Sequence, residues 1–166
     1  MKTLSLLLIA TAIMLSACTT RYYIVRHAER LNNSADSPLS TTGETRANIL
    51  RDSLSDKGIS TVFASTYQRT QQTAQPLATA LSLSLILYKP DTTAGLIARL
   101  DKMRGKNVLV VGHSNTVPEL VYGLSQQAVS PIPETDYDNL YIVKVSRGWG
   151  RTRRTLVHTT YGPPSP

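Results

Sequence analysis

The part of the sequence that most restricts the fold is residues 107–111, an almost uninterrupted apolar run. Such a run is typical of a central parallel strand, which is buried on both faces. Further strand-like runs occupy 22–26, 59–64, 85–88, 140–145 and 153–159. In chain order the first four runs are 22–26, 59–64, 85–88 and 107–111, and segments with helical spacing of apolar residues separate them. This alternation predicts an α/β three-layer sandwich, in which a mostly parallel central sheet carries helices on both faces.

The chain has 166 residues, which is enough for one domain with a real core, and a formal net charge of +7. A basic chain could bind nucleic acid, an anionic membrane surface or acidic small substrates. The densest basic group lies near the C-terminus, at Arg147, Arg151, Arg153 and Arg154. We interpret this group as a solvated hairpin, and we expect no nucleic-acid partner. The sequence leaves the oligomeric state open.

The first 17 residues predict an export signal rather than part of the fold. A short positive start precedes an apolar stretch that is too short to span a bilayer as a helix. Leu15-Ser16-Ala17-Cys18 then resembles the lipobox of bacterial lipoproteins, in which the signal is cut before a Cys that becomes lipidated. Cys18 is the only cysteine, so no internal disulfide can form. The alternative is an ordinary secretory signal followed by a coincidental Cys.

These features divide the chain into a signal peptide at 1–17, a domain at 18–161 and a disordered tail at 162–166. The residue after Cys18 is Thr19 rather than Asp. By enterobacterial sorting, this residue indicates a lipoprotein on the periplasmic side of the outer membrane. We therefore expect a cell-envelope protein that contacts the membrane through Cys18.

Three of the predicted strands are followed by side chains suited to binding phosphate. Arg26 and His27 end the first, Arg69 follows the second within a few residues, and His113 follows the run at 107–111. Because parallel strands bring their carboxyl ends to one edge of the sheet, these groups could converge there. Arg and protonated His donate to phosphoryl oxygens, and a second imidazole could attack phosphorus.

Four segments in the same order resemble motifs of the histidine phosphatase superfamily, which has the phosphoglycerate mutase-like fold. Arg26-His27 resembles its Arg-His-Gly motif, with Ala28 in place of Gly, and residues 38–43 (PLSTTG) resemble its Pro-Leu-Thr-x-x-Gly helix start. Residues 65–74 (STYQRTQQTA) resemble its Ser-x-x-x-Arg-Thr-x-x-Thr-Ala segment, and Gly112-His113 its Gly-His strand end. The motifs cover residues 22 to about 124.

The resemblance implies a phosphohistidine mechanism. His27 would be the nucleophile, and Arg26, Arg69 and His113 would bind the phosphoryl oxygens and neutralise charge that develops in the transition state. Water would then hydrolyse the phosphohistidine. This chemistry needs no cofactor, and the sequence contains no spaced carboxylate or Cys/His set that predicts a metal site.

Arg30 is a further candidate phosphate ligand. The spacing from Arg26 to Arg30 also matches the Arg-His-Gly-x-Arg motif of the acid phosphatase branch. The alternative for Arg30 is a surface ion pair with Glu29 or another carboxylate.

The general acid is less clearly marked in the sequence. The mutase-like branch uses a Glu shortly after the third strand, where this chain has Asp91, which is also a natural helix N-cap. The acid phosphatase branch uses an acid directly after the second His, where this chain has Ser114. Glu119 is another candidate. Some compact members of the superfamily lack the acid and act on good leaving groups such as phosphohistidine.

The sequence thus predicts a membrane-anchored, metal-independent phosphatase acting on a small phosphorylated substrate or a phosphoprotein. A mutase is disfavoured because the chain is short and has an export signal. The alternative from another class is a catalytically weak lipoprotein that captures a phosphorylated ligand in the same pocket.

Overall fold

The computed structural model describes residues 18–148 and 150–165. Its strands are β1 (Cys18–Arg26), β2 (Ile59–Ser65), β3 (Leu85–Tyr88), β4 (Asn107–Gly112), β5 (Asn139–Gly148) and β6 (Arg151–Thr160). Its α-helices are α1 (Thr41–Leu54), α2 (Gln68–Ala80), α3 (Thr93–Asp101) and α4 (Thr116–Ser125), and a 3-10 turn at Pro90–Thr92 precedes α3. The predicted signal peptide at 1–17 lies outside the described residues.

All six strands form one sheet, in the order β3-β2-β4-β1-β5-β6. β1 to β4 pair in parallel, whereas β5 and β6 are antiparallel to their neighbours. β4, the most apolar run of the sequence, lies between β1 and β2 and is buried from Val108 to Gly112. The prediction of a mostly parallel α/β sheet is therefore confirmed.

The two faces of the sheet carry separate hydrophobic clusters, because successive strand residues point to opposite sides. On one face, Tyr22 and Ile24 of β1 pack with α3 and α4. On the other face, Tyr23 and Val25 pack with α1 and α2. The four residues are at most 6% exposed, so β1 is covered on both sides and its carboxyl end has a fixed position.

Two elements begin earlier than the sequence predicted. The first strand was expected at residue 22 but starts at Cys18, because residues 18–21 pair with β5 as far as Arg147. The last helix was expected to open at Pro118 but begins at Thr116. Pro118 occupies the first helical turn, where its missing N–H would have no partner inside the helix.

The C-terminal tail was predicted to be disordered, but residues 162–165 are held against the domain. Arg46 Nη1 donates to the Pro163 carbonyl at 3.0 Å, and the Ser165 N–H donates to Asp138 Oδ2 at 3.0 Å. The Tyr137 N–H donates to Ser165 Oγ at 2.8 Å. These contacts come from α1 and from the loop before β5, so the local Gly-Pro composition did not reveal them.

Within the described part of the chain, no helix is long and apolar enough to cross a membrane.

Candidate active site

The carboxyl ends of β1 and β4 and the start of α2 surround one pocket with a volume of about 290 Å³. His27 follows β1, His113 follows β4, and Arg69 lies in the first turn of α2. The pocket is lined by His27, Arg30, Tyr67, Arg69, Pro90, His113, Ser114, Asn115 and Glu134. The two imidazole rings have centroids 5.4 Å apart. The structure thus brings together four of the predicted site residues: His27, Arg30, Arg69 and His113.

His27 is held in the tautomer that a nucleophile requires. Its Nδ1 lies 2.7 Å from the Ala28 carbonyl oxygen, which can only accept, so Nδ1 carries the proton and Nε2 keeps a free lone pair. The Ala28 N–H in turn donates to Thr73 Oγ1 at 2.9 Å. Burial lowers the pKa of His27 to about 3, and the charges of Arg26 and Arg69 act in the same direction. The imidazole is therefore neutral at moderate pH.

His113 is held by a hydroxyl on one side and a guanidinium on the other. Its Nε2 lies 2.8 Å from Ser65 Oγ, and its Nδ1 lies 3.5 Å from Arg69 Nη2. Because Arg can only donate, Nδ1 is the acceptor and Nε2 carries the proton. Burial lowers the pKa of His113 to about 4, with the charges of Arg69 and Arg26 adding to the effect. A bound dianion would favour the protonated ring again.

Arg69 and Arg30 supply two cations to the pocket. Arg69 Nη1 donates to the Ala35 carbonyl at 2.9 Å, and its guanidinium lies over the Tyr67 ring at 4.5 Å. Its Nε is buried without a hydrogen-bond partner. Arg30 is 32% exposed and its ion pair is with another carboxylate, Glu134, at 3.8 Å, whereas Glu29 Oε1 binds Arg46 at 2.7 Å. Both guanidinium groups therefore keep donors that could bind phosphoryl oxygens.

Arg26 occupies a different position from the one that its motif suggests. It is 1% exposed and is not among the residues that line the pocket. Its Nη1 donates to the carbonyls of Pro133 and Asp136 at 2.7 and 3.0 Å, and its guanidinium lies 4.2 Å from the Tyr137 ring centroid. Its Nε has no partner. Arg26 thus fixes the loop of residues 126–138 beside His27. With three of its five N–H donors used, Nε and one N–H of Nη2 remain.

That loop places a carboxylate in the pocket that the sequence analysis missed. Glu134 Oε2 lies 3.0 Å from Arg26 Nη2 and 3.8 Å from Arg30 Nη2, and Ser114 Oγ donates to Oε1 at 2.5 Å. The Ser114 hydrogen bond and both guanidinium groups lower the pKa of Glu134. The residue has no motif around it, since it lies in a Pro-rich loop 21 positions after His113. Its contacts with Arg26, Arg30 and Ser114 place it in the pocket.

The two acid candidates from the sequence lie elsewhere. Asp91 belongs to the exposed 3-10 turn before α3 and lines a neighbouring depression with Tyr67 and Pro90. The N-cap of α3 is Thr92, so Asp91 does not cap that helix. Glu119 is exposed on α4, and neither residue lines the pocket that contains His27.

Residues 38–43 (PLSTTG) pack against the segment that follows His27. Ser40 caps α1 by accepting from the Gly43 N–H at 3.1 Å, and its own N–H donates to the Glu29 carbonyl at 2.9 Å. A Cβ at Gly43 would overlap the Glu29 backbone. The absent side chain therefore lets the first turn of α1 pack directly on the segment that follows His27.

Over residues 18–148 and 150–165, no three His, Cys, Asp or Glu side chains are grouped to hold a metal ion.

Comparison with known proteins finds sequence similarity over part of the chain. The model of the histidine phosphatase superfamily (branch 1) matches residues 22–90. Probable phosphoglycerate mutases GpmB from Yersinia pestis and Yersinia pseudotuberculosis are 37% identical over 71 residues. This alignment covers 39% of the chain and spans about a third (33%) of those relatives.

Solved structures share the fold over most of the domain. The protein histidine phosphatase SixA in complex with tungstate has a TM-score of 0.62 at 22% identity, covering 84% of this chain and 96% of that one. A putative phosphohistidine phosphatase SixA from Nakamurella multipartitia gives 0.61 at 20% identity, with coverages of 88% and 96%.

A mycobacterial glucosyl-3-phosphoglycerate phosphatase in complex with VO3 gives a TM-score of 0.62 at 15% identity, with coverages of 82% and 96%. At these identities the likeness concerns the fold, whereas the family model matches the segment that contains His27 and Arg69. The chain is therefore similar to the histidine phosphatase superfamily in sequence over residues 22–90, and it shares the fold of these solved phosphatase structures over most of the domain.

Proposed function

We propose that this protein is a metal-independent phosphatase that hydrolyses phosphomonoesters or phosphoramidates through a phosphohistidine on His27. The observation that carries the proposal is the state of His27. Its imidazole is neutral, its Nδ1 proton is held by the Ala28 carbonyl, and its free Nε2 belongs to a pocket with two guanidinium groups and a second imidazole. That combination suits in-line attack on a phosphoryl group.

The reaction would take two displacements. The Nε2 lone pair of His27 forms an N–P bond while the bond from phosphorus to the leaving group breaks, and the leaving group takes a proton from solvent. Water then attacks phosphorus and the N–P bond breaks. Inorganic phosphate leaves, and His27 returns to its neutral form. Arg69, Arg30 and His113 would donate to the equatorial oxygens, which carry more charge in the transition state. SixA in the structural comparison is described as a histidine phosphatase, which fits the phosphoramidate side of the proposal.

The proposal is tested by trapping the intermediate. The chain has three histidines, so labelled substrate and an acid-free quench should give an acid-labile, alkali-stable adduct on His27 in the wild type. His27→Ala should abolish turnover and labelling but still bind vanadate, because the cations remain. His158→Ala is the matched control, since His158 lies on β6, stacks on Tyr141 and does not line the pocket. An adduct on another residue, or full activity in His27→Ala, would refute the mechanism.

The catalytically weak phosphoryl-binding lipoprotein is the alternative outcome of the same experiment. It predicts tight vanadate or phosphate binding by the wild type, with no turnover of an aryl phosphate above that of His27→Ala. Comparing the two proteins at equal concentration separates capture of a ligand from hydrolysis.

We also propose that the domain is anchored to the cell envelope, on its periplasmic side, by a lipid on Cys18. The support is the lipobox-like Leu15-Ser16-Ala17-Cys18 and the place of Cys18 at the start of the nine-residue β1. His27 follows the other end of that strand. At about 3.3 Å per residue, the two ends lie about 30 Å apart, so the pocket would open away from the lipid.

A further inference from the structure

Glu134 is the carboxylate among the residues that line the pocket. We propose that Glu134 selects substrates by the charge of the leaving group: it admits phosphoryl compounds whose leaving group is neutral or cationic and rejects those whose leaving group carries a carboxylate. This inference rests on the proposed phosphatase function, and it adds a substrate class that the similarity to histidine phosphatases does not specify.

The position of Glu134 is fixed by its own loop rather than by chance contact of an exposed side chain. Arg26 holds the backbone on both sides of it, through the Pro133 and Asp136 carbonyls. Arg26 and Ser114 then bind one carboxylate oxygen each. With both oxygens accepting hydrogen bonds, Glu134 stays ionised at neutral pH.

The same carboxylate faces the outside of the pocket. Its side chain is 65% exposed, whereas His27 and His113 are 4% and 7% exposed. In-line displacement puts the attacking and departing atoms on opposite sides of phosphorus. A phosphoryl group on the buried His27 therefore directs its leaving group outward, past Glu134.

The two cations near Glu134 are on its inner side. Arg26, which pairs with Glu134 at 3.0 Å, is 1% exposed and does not line the pocket, and Arg30, at 3.8 Å, would be bound to the phosphoryl oxygens together with Arg69. The exposed carboxylate rather than its buried partner therefore faces the leaving group. At the mouth, the leaving group would meet Glu134 with the uncharged Tyr67, Pro90 and Asn115. In the neighbouring depression, Asp91 and Lys89 carry opposite charges. A leaving-group carboxylate would thus be repelled by Glu134, and a cation would be attracted.

The ionised carboxylate of Glu134 also limits which leaving groups can depart from phosphorus. An ionised Glu134 has no proton to give, so the pocket favours leaving groups that depart without help from a strong acid. A phosphoramidate nitrogen or an imidazole that is already protonated is such a group, and it also brings the positive charge that Glu134 attracts. Aliphatic esters that carry a carboxylate are disfavoured for two reasons: their leaving group needs a proton from an acid, and Glu134 repels its negative charge.

The test uses the full-length protein and three phenyl phosphates that differ only in the para substituent: carboxylate, carboxamide and trimethylammonium. Glu134→Gln keeps the size of the side chain and removes its charge. Relative to the carboxamide, kcat/KM for the carboxylate substrate should rise on the order of tenfold in the variant, and that for the ammonium substrate should fall by a similar factor. Because each comparison is between variant and wild type, differences in leaving-group acidity cancel.

Glu119→Gln is the matched control, because Glu119 is an exposed carboxylate on α4 that does not line the pocket. It should leave both ratios unchanged. A purely structural role for Glu134 would move all three substrates together. Ratios that change less than twofold, or that move in the same direction, would overturn the inference.

Binding of the three corresponding phenylphosphonates, measured by calorimetry, separates this inference from the proposed function. These compounds cannot be hydrolysed, so their binding does not depend on turnover. Selective phosphonate binding that Glu134→Gln abolishes, without any turnover, would refute the phosphatase and retain the charge selection. Turnover without charge selection would support the phosphatase and overturn the charge selection. An absence of both turnover and selective binding would overturn both proposals.

Discussion

The two buried histidines of the pocket should make the domain sensitive to acid. Burial and neighbouring guanidinium groups lower the pKa of His27 to about 3 and that of His113 to about 4, from 6.5. In the unfolded chain both rings recover the ordinary value. Between these values the unfolded state binds more protons than the folded state, so stability falls as the pH falls below about 6.5.

The size of the loss follows from the two pKa values. At about pH 5, an unfolded histidine is almost fully protonated while a folded ring with a pKa of about 3 is almost neutral. The difference is about 2 kcal/mol for His27 and about 2 kcal/mol for His113, relative to about pH 8. Since His27 and His113 are 4% and 7% exposed, solvent screening does little to reduce these values.

The assay is urea unfolding of the wild type and of His27→Gln and His113→Gln, each at about pH 8 and about pH 5. Carboxylates also contribute to acid destabilisation, but they are the same in every protein. We therefore expect each variant to lose about 2 kcal/mol less than the wild type between the two pH values. His158→Gln, which changes the third histidine of the chain, should lose as much as the wild type.

The result that would refute the reasoning is an equal loss of stability in all four proteins. It would mean that His27 and His113 are protonated in the folded state at about pH 5, so that burial does not keep them neutral. The proposal that His27 is a neutral nucleophile at moderately acid pH would then have no physical support, whatever activity is found at neutral pH.

Three further predictions concern the cations, the anchor and the support behind the site. Arg69→Ala should lower turnover on the order of a hundredfold and weaken vanadate inhibition together, since one guanidinium serves both oxyanions; wild-type kinetics would contradict this. Cys18→Ser should lose acyl labelling and detergent-phase partitioning when expressed in the host, whereas a soluble, unacylated wild type would contradict the anchor. Gly43→Ala should destabilise the domain by about 1–3 kcal/mol in urea unfolding, because its Cβ would overlap the Glu29 backbone; unchanged stability would show that α1 can shift away.

Much of the site could be predicted because its residues follow apolar runs directly. His27 and His113 come immediately after β1 and β4, so finding the strands placed both rings at one edge of the sheet. Arg69 followed from the first turn of the next helix. This information is local, since a strand and the residue at its end are adjacent in sequence.

The parts that sequence analysis missed depend on contacts between distant segments. Cys18 extends β1 only because β5, more than 120 residues later, supplies its pairing partner. The tail is ordered by Arg46 and Asp138 rather than by its own composition. Glu134 lies in a loop without periodicity, and no local pattern could indicate that Arg26 would bind it. In each case the deciding group belongs to another element.

Arg26 shows why a motif match does not by itself assign a role. A fully buried guanidinium must have its charge and donors satisfied, because desolvation lowers its pKa and an unpaired charge would be costly. Here the loop meets that need with two carbonyls, one carboxylate and the Tyr137 ring. Arg26 therefore helps to fix the position of Glu134, and without releasing the loop it has only Nε and one N–H of Nη2 left to donate to a phosphoryl oxygen. In the proposed mechanism the Arg-His pair therefore has two separate roles: His27 attacks phosphorus, and Arg26 positions the carboxylate that a substrate would meet at the entrance of the pocket.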